Sequence, residues 1–303
     1  MLHPRKAANA PEETSVWARG AAAPARSETP LSLAHLTVLD AAPPALIDLA
    51  YKAGCAFAGL RLVPVTEEEP VWPLVTDTRL LRETKHALAA TGVGVLDVEL
   101  VRLLPELVVA ELEPLLETSA ELGARRVLTQ VHDPDLFRAG GRYWELCERA
   151  KIYGLTCDIE FLTWTGMRDV ASALAFIRSV GHSHGGLCID TLHFARSGCV
   201  SQEIGLIPEQ WLHFAQVCDA PAQAPVTREG LIEAAREDRL WPGEGALPLR
   251  QIIAQLPAGM PLALEIPNRK LALVMTPEAR VGAAADAMRA LLADVQECQS
   301  AHL

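Results

Sequence analysis

Residues 155–193 read LTCDIEFLTWTGMRDVASALAFIRSVGHSHGGLCIDTLH. Two short apolar runs, Leu155–Leu162 and Gly186–Leu192, flank a segment, Val170–Val180, whose apolar residues recur at helical spacing. A buried strand, a helix and a second buried strand make the βαβ unit of a parallel sheet, because parallel neighbours need a crossover long enough to hold a helix. Each apolar run also carries one carboxylate near its C-terminal end, Glu160 in the first and Asp190 in the second. That end of a strand is where α/β barrels build their sites.

The alternation continues in both directions. Leu33–Leu39, Ala58–Pro64, Gly94–Leu100 and Arg126–His132 read as strands before this unit, and Leu212–Cys218 and Leu262–Ile266 after it. Helical period covers Pro44–Ala53, Arg79–Ala90, Pro105–Leu122, Arg142–Tyr153, Arg228–Arg236, Leu249–Gln255 and Pro277–Glu297 as well as Val170–Val180. Thr276 as N-cap, Pro277 in the first turn and Glu278 behind it give the last helix the clearest start. Eight strands alternating with helices predict an α/β protein, a single-domain (β/α)8 TIM barrel. Residues 1–28, rich in Ala, Pro, Ser and charge, are expected to be a flexible tail, and 29–303 the barrel.

Half of the 303 residues are hydrophobic and 21% are charged, enough apolar material for one large core. The net charge of −11, with no basic run, argues against nucleic acid or an anionic membrane as partner. No stretch approaches the roughly 18 uncharged apolar residues of a membrane span. Cys55, Cys147, Cys157, Cys188, Cys199, Cys218 and Cys298 are scattered, odd in number and free of CxxC spacing, so reduced, mostly buried thiols and a cytoplasmic location are expected. The expected partner is a small-molecule substrate; a homo-oligomer is left open.

Polar residues gather at the ends of the later strands: Glu160, Asp190 with His193, Gln216 and Asp219 in FAQVCD, and Glu265 in LALEIP. An ionised carboxylate inside an apolar strand costs several kcal/mol unless a cation or donors compensate. Three carboxylates and an amide oxygen from adjacent strands would meet at one point, where a hard divalent cation neutralises them most simply; pairing with Arg or Lys is the alternative. His193 could orient a ligand, move a proton or be a bonded structural histidine. Arg196 suits a carboxylate or phosphate clamp, or a solvated turn. Arg61 and Glu99 could line the mouth or form a buried pair. Arg239 and Glu244 fall in the loop beyond the seventh strand and its helix, where Gly243-Glu244-Gly245 could simply be a tight turn. Trp164 is a candidate pocket wall. His182-Ser183-His184 resembles a metal tract but enters the sixth strand at the opposite barrel end, so solvated loop histidines are expected there.

Together, Glu160, Asp190-Thr191-Leu192-His193, Gln216 three positions before Asp219, Gly243-Glu244-Gly245 and Glu265 resemble the xylose-isomerase-like TIM barrels, a group of sugar isomerases, epimerases and dehydratases that includes endonuclease IV relatives. The resemblance runs over all eight strands. It implies that Glu160, Asp190 and Glu265 bind metal and that the two glutamates flank the substrate as acid and base. One position departs: the sugar epimerases usually have histidine where this chain has Gln216, whereas bacterial 3-dehydroshikimate dehydratases of the same fold place glutamine there. An amide oxygen suits Mg2+ or Mn2+ better than Zn2+.

The resulting expectation is one divalent ion, Mn2+ or Mg2+ ahead of Co2+ or Zn2+, on Glu160, Asp190, Gln216 and Glu265. Glu160, Glu265 and His193 would be catalytic, and Arg61, Glu99, Arg196 and Glu244 would bind substrate. The expected activity is isomerisation or epimerisation of a small sugar or keto-polyol through a metal-stabilised enediolate. A lyase that dehydrates a 3-dehydroshikimate-like or keto-cyclitol substrate is the alternative, followed by a non-catalytic sugar-binding subunit. The negative charge and Gln216 disfavour an endonuclease IV-like repair enzyme.

Overall fold

Eight parallel strands close into a barrel in sequence order: β1 (Leu31–Leu33), β2 (Phe57–Arg61), β3 (Gly94–Leu103), β4 (Arg126–Val131), β5 (Thr156–Glu160), β6 (Gly185–Asp190), β7 (Leu212–Val217) and β8 (Leu262–Leu264), which pairs back onto β1. The structure, a computed structural model, describes residues 29–300, so the tail expected over residues 1–28 lies outside the described residues. Among the described residues, ten helices surround or cap the barrel: α1 (Pro43–Lys52), α2 (Thr78–Thr91), α3 (Glu113–Glu121), α4 (Leu136–Ile152), α5 (Val170–Val180), α6 (Thr191–Arg196), α7 (Arg228–Glu237), α8 (Leu249–Gln255), α9 (Arg269–Val274) and α10 (Pro277–Ser300).

Strand alternation divides the apolar residues into two sets. Val127, Cys157, Ile159, Leu187, Ile189, Ala215 and Val217 join the large core beneath the helices. A smaller cluster contains Ala34, Leu96, Leu100, Leu128, Cys188, Phe214 and Ala263. Leu128, Cys188 and Ala263 stand two residues before Gln130, Asp190 and Glu265, hence on the same strand face, and they form the apolar floor under the polar mouth. The helices start where side chains satisfy their first N–H groups: Asp77 caps α2, Asp169 and Ser172 form a capping box on α5, and Thr276 Oγ1 accepts from Ala279 N at 3.2 Å at the start of α10.

Several boundaries differ from the sequence reading. The apolar run Leu33–Leu39 predicts a strand, but only Leu31–Leu33 pair; His35–Val38 form a 3-10 turn. Thr37 holds that turn against the barrel, its Oγ1 donating to Leu264 O at 2.8 Å and accepting from Ile266 N at 2.9 Å. A short buried turn and a short buried strand carry the same apolar composition. Residues 105–108 stay outside the helix expected over Pro105–Leu122, which begins as a 3-10 turn at Val109. The helix expected from Arg142 starts at Leu136, because Asp135 caps Phe137 N and Arg138 N and the helix absorbs Gly140 and Gly141. β6 stops at Asp190 rather than Leu192, since the Asp190 carboxylate accepts from Leu192 N and His193 N and thereby opens α6.

The histidines before β6 are not solvated as expected. His182 is buried with its Nε2 2.6 Å from Glu148 Oε1, and His184 Nδ1 lies 2.9 Å from Leu155 O, so both brace the turn. Cys55, Cys147, Cys157, Cys188 and Cys218 are buried, as the sequence reading expects. Among the described residues, no helix is long and apolar enough to cross a membrane.

Candidate active site

Glu160 ends β5, Asp190 ends β6, and Gln216 in β7 stands in register with Asp190 on one side and Ala263 on the other. Glu265 follows β8, its N–H donating to Val217 O at 3.2 Å. Parallel register therefore delivers all four side chains to the C-terminal mouth. They are deeply buried, at 4% exposure for Glu160, 1% for Asp190, 0% for Gln216 and 3% for Glu265, so charge there is poorly screened by water.

Two hydrogen-bonded halves face each other. Asp190 Oδ1 accepts the two backbone N–H groups at the start of α6, and its Oδ2 accepts from Arg239 Nη1 at 2.6 Å. The same Nη1 lies 3.0 Å from Glu265 Oε2, while Glu265 Oε1 accepts from Gln216 Nε2 at 2.8 Å. Gln216 Oε1 meets the Cys188 thiol at 3.5 Å. In the other half, Glu160 Oε2 accepts from Gln130 Nε2 at 2.6 Å and Oε1 lies 3.6 Å from His193 Nε2. Among the described residues, the donor atoms of Glu160, Asp190 and His193 gather within 4.8 Å of one another, whereas Glu265 is tied to Gln216 and Arg239.

Arg239 alone cannot offset three ionised carboxylates. Burial pushes Glu160 up to about 8, with Asp190 adding to the effect against the Gln130 hydrogen bond. Burial likewise lifts Glu265 well above the carboxylate range despite Arg239. Burial would raise Asp190 too, but Arg239, His193 and the backbone donors outweigh it and hold Asp190 at about 2. Burial lowers His193 to about 4, so its imidazole is neutral at pH 7. Three buried carboxylates thus share one guanidinium. A divalent cation fits the gathered donors of Glu160, Asp190 and His193; for Gln216 and Glu265 to join them, the amide oxygen would have to turn from the Cys188 thiol and Glu265 from Arg239.

Around this cluster, Arg61 Nε donates to Glu99 Oε2 at 2.9 Å, so these two form the buried pair, one of the two sequence readings. Arg61 also lies 3.4 Å from Glu69, which pairs with Arg236 of α7 and closes one side of the mouth. Arg196 donates from two nitrogens to the carbonyls of Pro221, at 2.6 Å, and Ala222, at 3.2 Å. Trp164 stands edge-on to His193 with ring centres 5.0 Å apart, and both line a small, shallow depression with Thr163, Leu192, Arg196 and Leu231. Glu244 is exposed in a turn closed by its N–H on Trp241 O. Asp219 holds that turn through Gly243 N and Leu247 N, and a Cβ at Gly245 would collide with the Asp219 carboxylate and the Ala220 carbonyl.

Sequence reasoning places Arg239 only in a loop and overlooks Gln130, His132 and Asp97. Glu237-Asp238-Arg239 is a run of charged residues at the end of α7, yet Arg239 is 2% exposed, its guanidinium donating to Ala235 O and Asp190 Oδ2. Gln130 is the register partner of Glu160, a signal that strand alignment could have supplied. Asp97 is 1% exposed and neither of its carboxylate oxygens has a hydrogen-bond partner among the described residues. Burial, then Glu99 and Asp158, raise it well above the usual carboxylate range.

The family model described as xylose isomerase-like TIM barrel matches residues 47–291. A 3-dehydroshikimate dehydratase of Pseudomonas aeruginosa is 29% identical over 128 residues, which cover 41% of this chain and 20% of that protein. The chain thus spans about a fifth of the length of the curated relative it matches. Among solved structures, the IOLI protein with a bound zinc atom superposes with a TM-score of 0.72 at 18% identity, covering 88% of this chain and 99% of that one. The probable 3-DHS dehydratase AsbF of Bacillus anthracis gives 0.71 at 12% identity, covering 86% and 98%. At these identities the structural likeness shows the shared barrel.

Proposed function

This chain belongs to the xylose isomerase-like TIM barrel family of enzymes, and we propose that it uses one divalent cation to remove a proton beside the carbonyl of a small polyhydroxylated keto substrate. One observation carries the reading: three buried carboxylates converge on the barrel mouth with a single guanidinium among them, and two are pushed up in pKa by burial. Burial keeps these carboxylates from ionising together with only one guanidinium beside them, a penalty that a bound cation would remove, and Glu160, Asp190, Gln216 and Glu265 offer hard oxygen ligands for it. When bound, the ion would draw electron density from adjacent carbonyl and hydroxyl oxygens and so acidify the neighbouring C–H.

The protein's own groups divide the remaining work. Glu160 and Glu265 stand on opposite halves of the cluster, so one accepts the proton and the other supplies one on the far side of the substrate. Neutral His193, with Nε2 toward Glu160, hydrogen-bonds a substrate oxygen and orients it. Trp164 excludes water from that side. Arg61 is held by Glu99 and faces the same mouth, where it can donate to a substrate oxygen.

Returning the proton to another atom gives isomerisation or epimerisation; losing a β-hydroxyl gives dehydration. The dehydratase outcome draws specific support from Gln216, which stands where the epimerases usually have histidine, and from the partial match to the Pseudomonas dehydratase. To test both, the Mn2+-loaded protein is incubated in D2O with keto sugars, inositol ketones and 3-dehydroshikimate. NMR should show deuterium entering beside the carbonyl of one class, or an aromatic product from 3-dehydroshikimate, and chelator should abolish it. No exchange or product with Mn2+, Mg2+, Co2+ or Zn2+ would refute the reading.

A further inference from the structure

Glu160 is held by a hydrogen-bonded chain that the proposed chemistry does not itself use. Its Oε2 accepts from Gln130 Nε2 at 2.6 Å, and the other end of that amide, Oε1, lies 3.1 Å from His132 Nε2. Gln130 sits near the end of β4 in register with Glu160, and His132 follows two residues later on the same strand face. The geometry leaves little freedom in the assignment. An amide has one donor end and one acceptor end, so nitrogen toward the carboxylate puts oxygen toward the histidine, which must carry its proton on Nε2. Burial, with Arg102 and Arg228 nearby, lowers His132 to about 4, keeping the ring neutral and able to hold that single tautomer.

We propose that Gln130 and His132 are positioning residues that lock Glu160 into a one-oxygen mode, committing Oε2 to the amide and presenting only Oε1 to the cation and substrate. The inference rests on Glu160 being a metal ligand. Without the Gln130 donor, both oxygens of Glu160 are free and the carboxylate can rotate toward Arg239 or chelate through two oxygens. Without the His132 donor, the amide can flip and turn its oxygen against the carboxylate. Outer partners that fix a ligand in this way typically change metal affinity about 10–100-fold.

The test titrates the purified full-length chain with Mn2+ alone, following free Mn2+ by electron paramagnetic resonance, so no substrate is needed. Gln130→Leu should weaken binding about 10–100-fold. His132→Leu should weaken it in the same direction, and His132→Gln, which keeps an N–H at the Nε2 position, should recover most of the loss. Thermal unfolding in chelator should differ little among the histidine variants, which separates positioning from general damage to the fold. Should Gln130→Leu fail to fold, the histidine pair decides. Wild-type affinity in Gln130→Leu, or equal affinity in His132→Leu and His132→Gln, would overturn the relay while leaving the metal reading intact. A wild-type protein that binds no Mn2+ would overturn both.

Discussion

Arg239→Gln removes the guanidinium that joins Asp190 to Glu265. In the folded protein, Arg239 Nη1 reaches Asp190 Oδ2 at 2.6 Å and Glu265 Oε2 at 3.0 Å from a position 2% exposed. Removing one partner of a buried ion pair costs about 3–5 kcal/mol, because the remaining charge stays buried and unpaired. At about 2–4 °C per kcal/mol for a domain of this size, the chelated variant should melt about 6–20 °C below wild type. A cation and the guanidinium satisfy the same carboxylates, so Mn2+ should stabilise the variant more than it stabilises wild type. At a hundredfold excess over Kd, binding alone adds about 2.7 kcal/mol, enough to recover a large part of the deficit. Thermal unfolding by circular dichroism, with EDTA and with Mn2+, gives the four melting temperatures required. Equal deficits in both conditions would show that Arg239 and the metal do not share ligands; no deficit in EDTA would show that the ion pairs are not structural.

Glu160→Gln and Glu265→Gln should each reduce turnover by at least about a hundredfold, the scale of general acid–base catalysis, with the fold retained; near-normal rates in both would move the base elsewhere. Gln216→His should shift metal preference toward Zn2+ or Co2+, and Gln216→Ala should weaken every metal, whereas calorimetry showing unchanged affinities would remove Gln216 from the ligand set. Asp97 holds its proton more tightly folded than unfolded, so its contribution to stability is complete below about pH 4, the unfolded value, and is lost as pH rises toward the folded one. Asp97→Asn escapes that loss, and its melting temperature relative to wild type should therefore climb as pH rises above about 4; a difference independent of pH would contradict the buried-charge account.

The barrel can be read from the chain because its evidence is periodic. Runs such as Arg126–His132 and Leu212–Cys218 carry apolar residues on both faces, Leu128 against Val127 and Val131 in the first and Phe214 against Ala215 and Val217 in the second, and the segments between the runs carry helical spacing. The ends are harder. The extents of the runs Leu33–Leu39 and Gly186–Leu192 depend on single side chains, Thr37 in the first case and Asp190 in the second, and composition does not encode which backbone group a hydroxyl or carboxylate will reach. Within the site, residues embedded in or just beyond strands, Glu160, Asp190, Gln216 and Glu265, stand out as polar interruptions of apolar runs. Arg239 does not, because a charged residue among charged neighbours gives no sign of burial. Gln130 and His132 escape because their importance comes from cross-strand register, a long-range property.

Diffraction from a crystal equilibrated with Mn2+ and measured at the manganese absorption edge locates the ion directly. The account predicts one strong anomalous peak in the barrel mouth, about 2.0–2.4 Å from oxygens of Glu160, Asp190, Gln216 and Glu265. No peak there, with Arg239 still bridging Asp190 and Glu265, or an ion held by other residues, would contradict it.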